Sequence, residues 1–413
     1  MLDDSLKERM DAYRVLLLWQ EDGTFIKESG LSPFTMEIAL GVCRRHLYLQ
    51  FFIKNLVKKM PSLEVCTILE IGLFQMFFMD VPDHAAVATS VDLAKAANLH
   101  EGSARLVNAV LHAARRSGPP ALPPQRVRRV SIENSVPEWI VRRWFDIYGG
   151  TRAEALAKAT LSRPAEWIRV NLQKISAPVL AERLGITGAS ILYDRFIEIP
   201  EDKGVKPLLV SAEFAEGMFS FQNPSAYGVV KLLDAKQGMS VWDACAAPGG
   251  KAALMAEMDP SLEILASDVS EFRVQKMHDV IDRLGLKNVQ LESIDVLAYN
   301  GGVAFDRILL DVPCSNMGVI ARRPESVYRL TPDSIKELAA LQYDILEKAS
   351  AKLKSGGRIV YATCSPDPME TTQVVNRFVA AHPEFVKAGE PLFPGDGDSR
   401  LDGFFAQALE LKK

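Results

Sequence analysis

From about residue 238 the chain alternates short, continuously apolar runs with segments whose apolar positions recur every three or four residues. The runs "SVWDACAA" (240–247), "EILASDVS" (263–270), "VQLESID" (289–295), "FDRILLDVPC" (305–314) and "RIVYATC" (358–364) are predicted strands. Between them, "GKAALMAEM" (250–258), "EFRVQKMHDVIDRLG" (271–285) and "TPDSIKELAALQYDILEKASAKLK" (331–354) are predicted helices, the last closed by Gly356 and Gly357. Alternation of this kind implies a mostly parallel sheet that takes its ligands at the carboxyl ends of the strands. Asp243, Asp268, Asp295, Asp311, Cys314 and Cys364 all fall at such ends.

Upstream the pattern differs. To about residue 116 the chain reads as helical: "TILEIGLFQMFFM" (67–79) is apolar nearly all round, as the central helix of a bundle should be. "SARLVNAVLHAARR" (103–116) carries apolar positions at Leu106, Val107, Val110 and Leu111, with arginines in its last turn. "SGPPALPPQ" (117–125) is a linker by its prolines. From Val130 to about Ser211, helices such as "PEWIVRRWFDIY" mix with strand-like "EWIRVNL" and "RFIEI", a small α+β module.

With 413 residues, 48% hydrophobic and 24% charged, the chain is globular and suggests two or three domains. Its five cysteines (43, 66, 245, 314 and 364) are widely spread without CxxC spacing, which supports neither a disulfide framework nor a zinc site and fits a reducing cytosol. The N-terminus does not read as a signal peptide, and no apolar run is long enough to span a membrane. The net charge of −4 argues against a nucleic-acid partner, but His112 to Lys174 holds twelve Arg and Lys against five acids, a local +7. That block is either a polyanion footprint or a solvated helical face.

"DACAAPGGKAA" (243–253) places small residues and two glycines between a strand and a helix, where backbone must approach a ligand closely. It matches neither GxGxxG nor GxxxxGK[ST], so a dinucleotide or a triphosphate is not the first choice. Asp268 lies eighteen residues after Gly250, at the end of the next strand. It could accept hydrogen bonds from ribose hydroxyls, or cap the helix that follows. The combination points to an adenosine-bearing cofactor, with S-adenosylmethionine fitting better than a nicotinamide dinucleotide. Cys314 and Cys364, each at a strand end before turn residues, are either small buried hydrophobes or paired functional thiols.

"DACAAPGGK", "LASDVS", "DVPCS" and "YATCS", in this order and spacing, resemble the RNA (cytosine-5) methyltransferase family. "LEIGLFQMFFMDVPDHAAVATSVDLAKA" and "RLVNAVLHAARR" are similar to a NusB-like N-terminal domain, "PEWIVRRWFDIYG" and "WIRVNL" to the connecting region, and "LDGFFAQAL" to the last strand of the bacterial small-subunit ribosomal RNA methyltransferase B group. The resemblance implies a multidomain protein: an all-α NusB-like RNA-binding domain (1–116), a linker (117–129), a small α+β connecting and RNA-binding module (130–225) and an α/β class I, Rossmann-like methyltransferase domain (226–413).

It further implies methyl transfer from S-adenosylmethionine to carbon 5 of a cytosine in ribosomal RNA, through a covalent cysteine–cytosine adduct, by a cytoplasmic monomer. A transfer RNA methyltransferase, or an RNA-binding assembly factor with a vestigial domain, are the alternatives. By resemblance Cys364 is the nucleophile, Cys314 assists product release, Asp311 contacts the cytosine ring and Lys251 belongs to the catalytic group. Cys245, Ala246, Ala247, Pro248, Gly249, Gly250, Lys251, Asp268, Asp295 and Asp311 would hold the cofactor, Asp295 being equally readable as a turn-forming acid. The chain departs from the family pattern at Asn316 and Met317, where Gly-Thr is usual, at Asn223 for Asp, and at Thr371 for Asn.

Overall fold

The computed structural model describes residues 4–24, 26, 30–393 and 400–412. Residues 1–3, 25, 27–29, 394–399 and 413 lie outside the described residues, including the extreme ends of the first and last domain ranges expected above. Two compact units divide the chain: Met1–Arg163 with Ile320–Leu330, and Pro164–Val319 with Thr331–Lys413.

The first unit is helical: α1 (Asp4–Asp22), α2 (Pro33–Leu56), α3 (Leu63–Phe78), α4 (Asp83–Ala96), α5 (Glu101–Ser117), α6 (Arg126–Asn134) and α7 (Glu138–Ala159). As its composition predicts, α3 is buried continuously from Val65 to Gln75. Helix α2 approaches it so closely that a Cβ on Gly41 would lie 2.0 Å from the Phe74 ring, which leaves glycine the fitting residue there. Helix α5 buries Ala104, Val107, Val110, Leu111 and Ala114. Leu106 is instead exposed, because it lies off the stripe that these spacings define. Within the same unit, Tyr328 sets its ring edge to face against Trp19 and His46 and donates its hydroxyl to the Ser135 carbonyl at 2.7 Å.

The second unit contains two sheets. A four-stranded antiparallel sheet has the order β2-β3-β1-β4, from β1 (Glu166–Val170), β2 (Ile191–Leu192), β3 (Phe196–Ile199) and β4 (Phe219–Phe221), with α8 (Ala177–Arg183) and the short α9 (Lys206–Leu209) and α10 (Ala212–Ala215). Next come α11 (Ser225–Leu232), β5 (Ser240–Asp243), α12 (Gly250–Met258), β6 (Glu263–Asp268), α13 (Glu271–Leu284), β7 (Val289–Ser293) and β8 (Phe305–Asp311). The chain ends with α14 (Pro332–Ser350), β9 (Leu353–Thr363), α15 (Thr372–Ala381), β10 (Phe385–Leu392) and β11 (Phe405–Leu411).

Strands β5 to β11 form one sheet of order β10-β11-β9-β8-β5-β6-β7. The pairs β8/β9, β5/β8, β5/β6 and β6/β7 are parallel, while β11 runs antiparallel to β9 and β10. Both faces are covered. Val241, Ile264, Leu309 and Val360 pack with α11, α12 and α13, while Trp242, Ile308, Leu310 and Ile359 pack with α14 and α15. Burial on both faces is why these strands read as continuous apolar runs. The strand order reverses between β5 and β8, which opens a crevice at their carboxyl ends.

The prediction that Gly356 and Gly357 close α14 is corrected. The helix stops at Ser350, and both glycines lie inside β9. There the register against β8 jumps from Phe305↔Leu353 to Arg307↔Arg358, and Gly356 takes φ +72° to absorb the extra residues.

Candidate active site

The crevice is assembled from the strand ends. Asp243 ends β5, Asp268 ends β6, Asp311 ends β8, and Cys364 follows β9 directly. A cavity of about 460 Å³ is lined by Cys245, Asp268, Asp295, Asp311, Cys314 and Cys364, among others. Of the remaining sequence-predicted site residues, Ala247 also lines it, whereas the Ala246 side chain is buried in the core. Pro248, Gly249 and Gly250 form the turn into α12, with Gly249 at φ +96° as the residue before the helix.

That turn is braced from the small sheet. Arg169 of β1 is fully buried, donates to both Glu257 carboxyl oxygens at 3.0 and 2.7 Å and to the Gly250 carbonyl at 2.7 Å, and also binds Gln222. A bidentate, charge-assisted pair of this kind fixes direction as well as distance. Arg169 is therefore committed to the protein interior, which corrects its place in the +7 block. Within that block Arg126 pairs with Glu154 and Arg142 with Glu138, while Arg128 and Arg129 are exposed.

Lys251 binds the Asp311 carboxyl group. Burial alone would lower the Lys251 pKa, but the adjacent Asp311 carboxylate outweighs it and raises the value. Asp243 lies beneath, fully buried, its pKa pushed up to about 7 by burial and further by Asp311 and Asp268 against the pull of Lys251. The two thiols meet: Cys314 Sγ is 2.9 Å from Cys364 Sγ, and both cysteines are free. The hydrogen bond with Cys314 and desolvation together push the Cys364 thiol pKa up, with Lys251 opposing.

Asp268 is nearly inaccessible, and its Oδ1 accepts from Ser270 N at 3.0 Å and Arg273 at 2.9 Å. The cap of α13 is Ser270, not Asp268. Asp295 turns the chain by accepting from Leu297 N at 2.9 Å, and it also lines the cavity.

Sequence reading missed the group that holds the two cysteine loops together. Glu370 is fully buried, and its Oε1 accepts from Ser315 N at 2.8 Å and Gln342 Nε2 at 3.0 Å. Its Oε2 accepts from Ser315 Oγ at 2.5 Å and Ser365 Oγ at 2.6 Å. Ser315 follows Cys314 and Ser365 follows Cys364, so one carboxyl group sets the spacing of both sulfurs. Nothing local distinguishes Glu370 from an exposed loop acid. The cues were a Ser after each cysteine and, by resemblance, the Glu that precedes the Thr371 departure. Phe404, whose ring carries the Lys251 ammonium at 5.1 Å from its centroid, was likewise not singled out.

A mixed sheet with a switch-point crevice, a glycine turn at the first strand and an acid at the second define a Rossmann-like methyltransferase domain. Residues 230–398 match the family described as 16S rRNA methyltransferase RsmB/F, residues 11–116 the NusB family, and residues 136–194 the ferredoxin-like domain of RsmF/B-like methyltransferases. The chain is 33% identical over 439 residues to the probable ribosomal RNA small subunit methyltransferase B of Bacillus subtilis (strain 168), covering 98% of this chain and 96% of that protein. It is 32% identical over 391 residues to the ribosomal RNA small subunit methyltransferase B of Citrobacter koseri, covering 91% and 90%.

Two solved structures share the fold. One, described as the crystal structure of PH0851, has a TM-score of 0.79 at 23% identity and covers 98% of this chain and 99% of its own. The other, a methyltransferase homolog from Pyrococcus horikoshii, has a TM-score of 0.59 at 28% identity and covers 70% of this chain and 100% of its own. The chain belongs to the 16S rRNA methyltransferase RsmB/F family. Among the described residues no helix is long and apolar enough to cross a membrane, and no cluster of His, Cys, Asp and Glu could hold a metal ion.

Proposed function

We propose that this protein methylates carbon 5 of a cytosine in ribosomal RNA, with S-adenosylmethionine as methyl donor. The observation that carries the reading is the pair of thiols 2.9 Å apart in a cavity that also contains Asp268 and Asp311. The cavity suits a nucleoside with an aliphatic tail: Asp268 and Asp295 offer acceptors to ribose, and Val269, Ile294 and Leu341 offer apolar cover. S-adenosylmethionine would supply an electrophilic methyl group there.

Carbon 5 of cytosine is too weak a nucleophile to take that methyl unaided. Addition of the Cys364 sulfur to carbon 6, its thiol proton having passed to water, converts the ring to an enamine, and the Lys251–Asp311 pair offers the ring nitrogen its proton. Once carbon 5 carries the methyl, its remaining proton must leave so that the carbon–sulfur bond can break and restore the ring. Cys314, beside the attacking sulfur, is placed to accept it as a thiolate, its own proton having passed to water once the Cys364 sulfur is bonded to carbon 6. The base must be unpaired or extruded, because a stacked ring exposes neither carbon to a thiol. Residues 1–116 and 130–225 would serve as RNA-binding parts beside the methyltransferase domain at 226–413.

Incubating the purified protein with labelled S-adenosylmethionine and either small-subunit ribosomal RNA or transfer RNA, followed by nucleoside mass spectrometry, tests the reading. Label in 5-methylcytidine from the ribosomal RNA is expected. Label in transfer RNA alone would move the substrate class, and no transfer to either would leave an RNA-binding assembly factor.

Two further outcomes are expected. Asp268→Ala should weaken S-adenosylmethionine binding about tenfold to a hundredfold, the scale of a hydrogen bond to a charged acceptor, and leave RNA affinity alone. Titration calorimetry with equal affinity in mutant and parent would confine Asp268 to its contacts with Ser270 and Arg273. Charge reversal of Arg128 and Arg129 should weaken RNA binding and reduce the slope of log affinity against log salt by about 1 per lost phosphate contact. An unchanged slope would return both residues to a solvated helix.

A further inference from the structure

Asn316 sits between the two cysteine loops in a left-handed backbone conformation, φ +59°. Its Nδ2 donates to the Cys314 carbonyl at 3.2 Å, and its Oδ1 accepts from Cys364 Sγ at 3.0 Å. The carbonyl can only accept, so it fixes which end of the amide faces it, and the oxygen must face the thiol. That assignment orders the protons. The single proton on Cys364 is spent on Asn316, so Cys314 must be the donor in the sulfur–sulfur contact. The resting arrangement is a directed chain, from Cys314 S–H to the Cys364 sulfur and from Cys364 S–H to the Asn316 oxygen, closed back to the Cys314 carbonyl through the same amide.

From this geometry we infer that Asn316 is a positioning residue that latches Cys364 in its protonated, unreactive state until a substrate base displaces the amide. An amide oxygen stabilises a thiol that donates to it and repels the thiolate that forms when the proton leaves. Attack therefore requires the Asn316 side chain to swing away and the Cys364 proton to pass to water, after which the Cys314 S–H already points at the new thiolate and can stabilise it until its bond to carbon 6 forms. Asn316 is exposed, so a base entering the cavity can reach it without disturbing the core. The inference rests on Cys364 being the nucleophile of the proposed reaction, but its test needs neither RNA nor methyl donor.

The test is the pH profile of Cys364 alkylation by iodoacetamide in the full chain, read by mass spectrometry of the Cys364 peptide. In that step the sulfur–carbon bond forms as iodide leaves, and the thiol proton goes to water. Asn316→Gly fits φ +59° without strain. It is expected to alkylate Cys364 about threefold to tenfold faster at neutral pH, with the midpoint of the profile moved down, as loss of one hydrogen bond to the thiol form requires. Asn316→Asp, with a charged acceptor in the same place, is expected to slow alkylation and move the midpoint up. Unchanged melting temperatures serve as the folding control. An Asn316→Gly profile that coincides with the parent's, or lies above it, overturns the latch. Failure to find 5-methylcytidine would overturn the proposed reaction while leaving this measurement as it stands.

Discussion

A protein carrying Cys314→Ala is expected to run on a denaturing gel as a covalent complex with RNA, and only after incubation with S-adenosylmethionine. If Cys364 forms the bond to carbon 6 and Cys314 serves to remove the carbon 5 proton, the single change stops the reaction after methyl transfer, with the sulfur still attached. Turnover should fall by about a thousandfold or more, the scale of losing a positioned acid or base. Cys364→Ala should also abolish turnover but leave no adduct, because the ring is never activated. The double mutant should give free RNA. An adduct on the Cys364→Ala protein would exchange the two roles. Full activity in both single mutants would make the 2.9 Å contact a packing accident between two strand-end hydrophobes.

The second large effect belongs to Glu370. In Glu370→Ala, Ser315 N loses its buried acceptor, Gln342 Nε2 keeps only the Pro313 carbonyl, and the Ser315 and Ser365 hydroxyls lose the carboxyl oxygen they share, with Ser365 Oγ still accepting from Asp367 N. Leaving such buried donors without an acceptor costs about 1–3 kcal/mol each, or roughly 10 °C in all in the unfolding temperature of a unit this size. The two loops would also lose their common anchor. Glu370→Gln makes the sharper comparison. Its amide oxygen can replace Oε1, the atom facing obligate donors, and its amide nitrogen can replace Oε2, where both partners are hydroxyls able to turn and accept. Glu370→Gln is therefore expected to stay within about 1 kcal/mol of the parent and to keep the adduct chemistry. Thermal denaturation of both variants, with adduct formation measured beside it, checks the claim. Equal losses in the two would mean that charge, not hydrogen-bond geometry, is what the site needs.

What the sequence made legible follows from how local each signal is. The strands of the parallel core were readable because burial on both faces forces runs such as "RILLD" and "RIVYAT" to be continuously apolar. The glycine turn was readable because close backbone approach restricts residue choice. Both cysteines were visible as strand-end residues, although their mutual contact was not, since β8 and β9 are neighbours only through pairing across a long helix. The end of α14 was misplaced because Gly356 and Gly357 look the same to a local reading whether they stop a helix or relieve a strand register. Leu106 was misassigned to the buried stripe because one apolar residue off the face barely alters the period. Arg169 and Glu370 were out of reach for a common reason: their partners, Glu257 and Ser315, lie in distant segments, and no local pattern encodes a long-range polar pair.

The segment Ile320–Leu330 gives the chain an unusual inheritance. Its residues are built into the helical unit, with Tyr328 closing the ring contact of Trp19 and His46, yet the polypeptide on either side of it belongs to the sheet unit. The backbone thus passes between the units at 163–164, 319–320 and 330–331 rather than once. A gene cut after residue 163 would not release a complete helical module. The fragment would lack Tyr328 and would leave the Ser135 carbonyl without its hydroxyl partner. The helical part is therefore not portable in the way a bead on a string is, and recombination that exchanged it alone would have to carry over a loop encoded far downstream. Trp19 and His46 thus share one packing site with Tyr328, although more than 250 positions of sequence separate them.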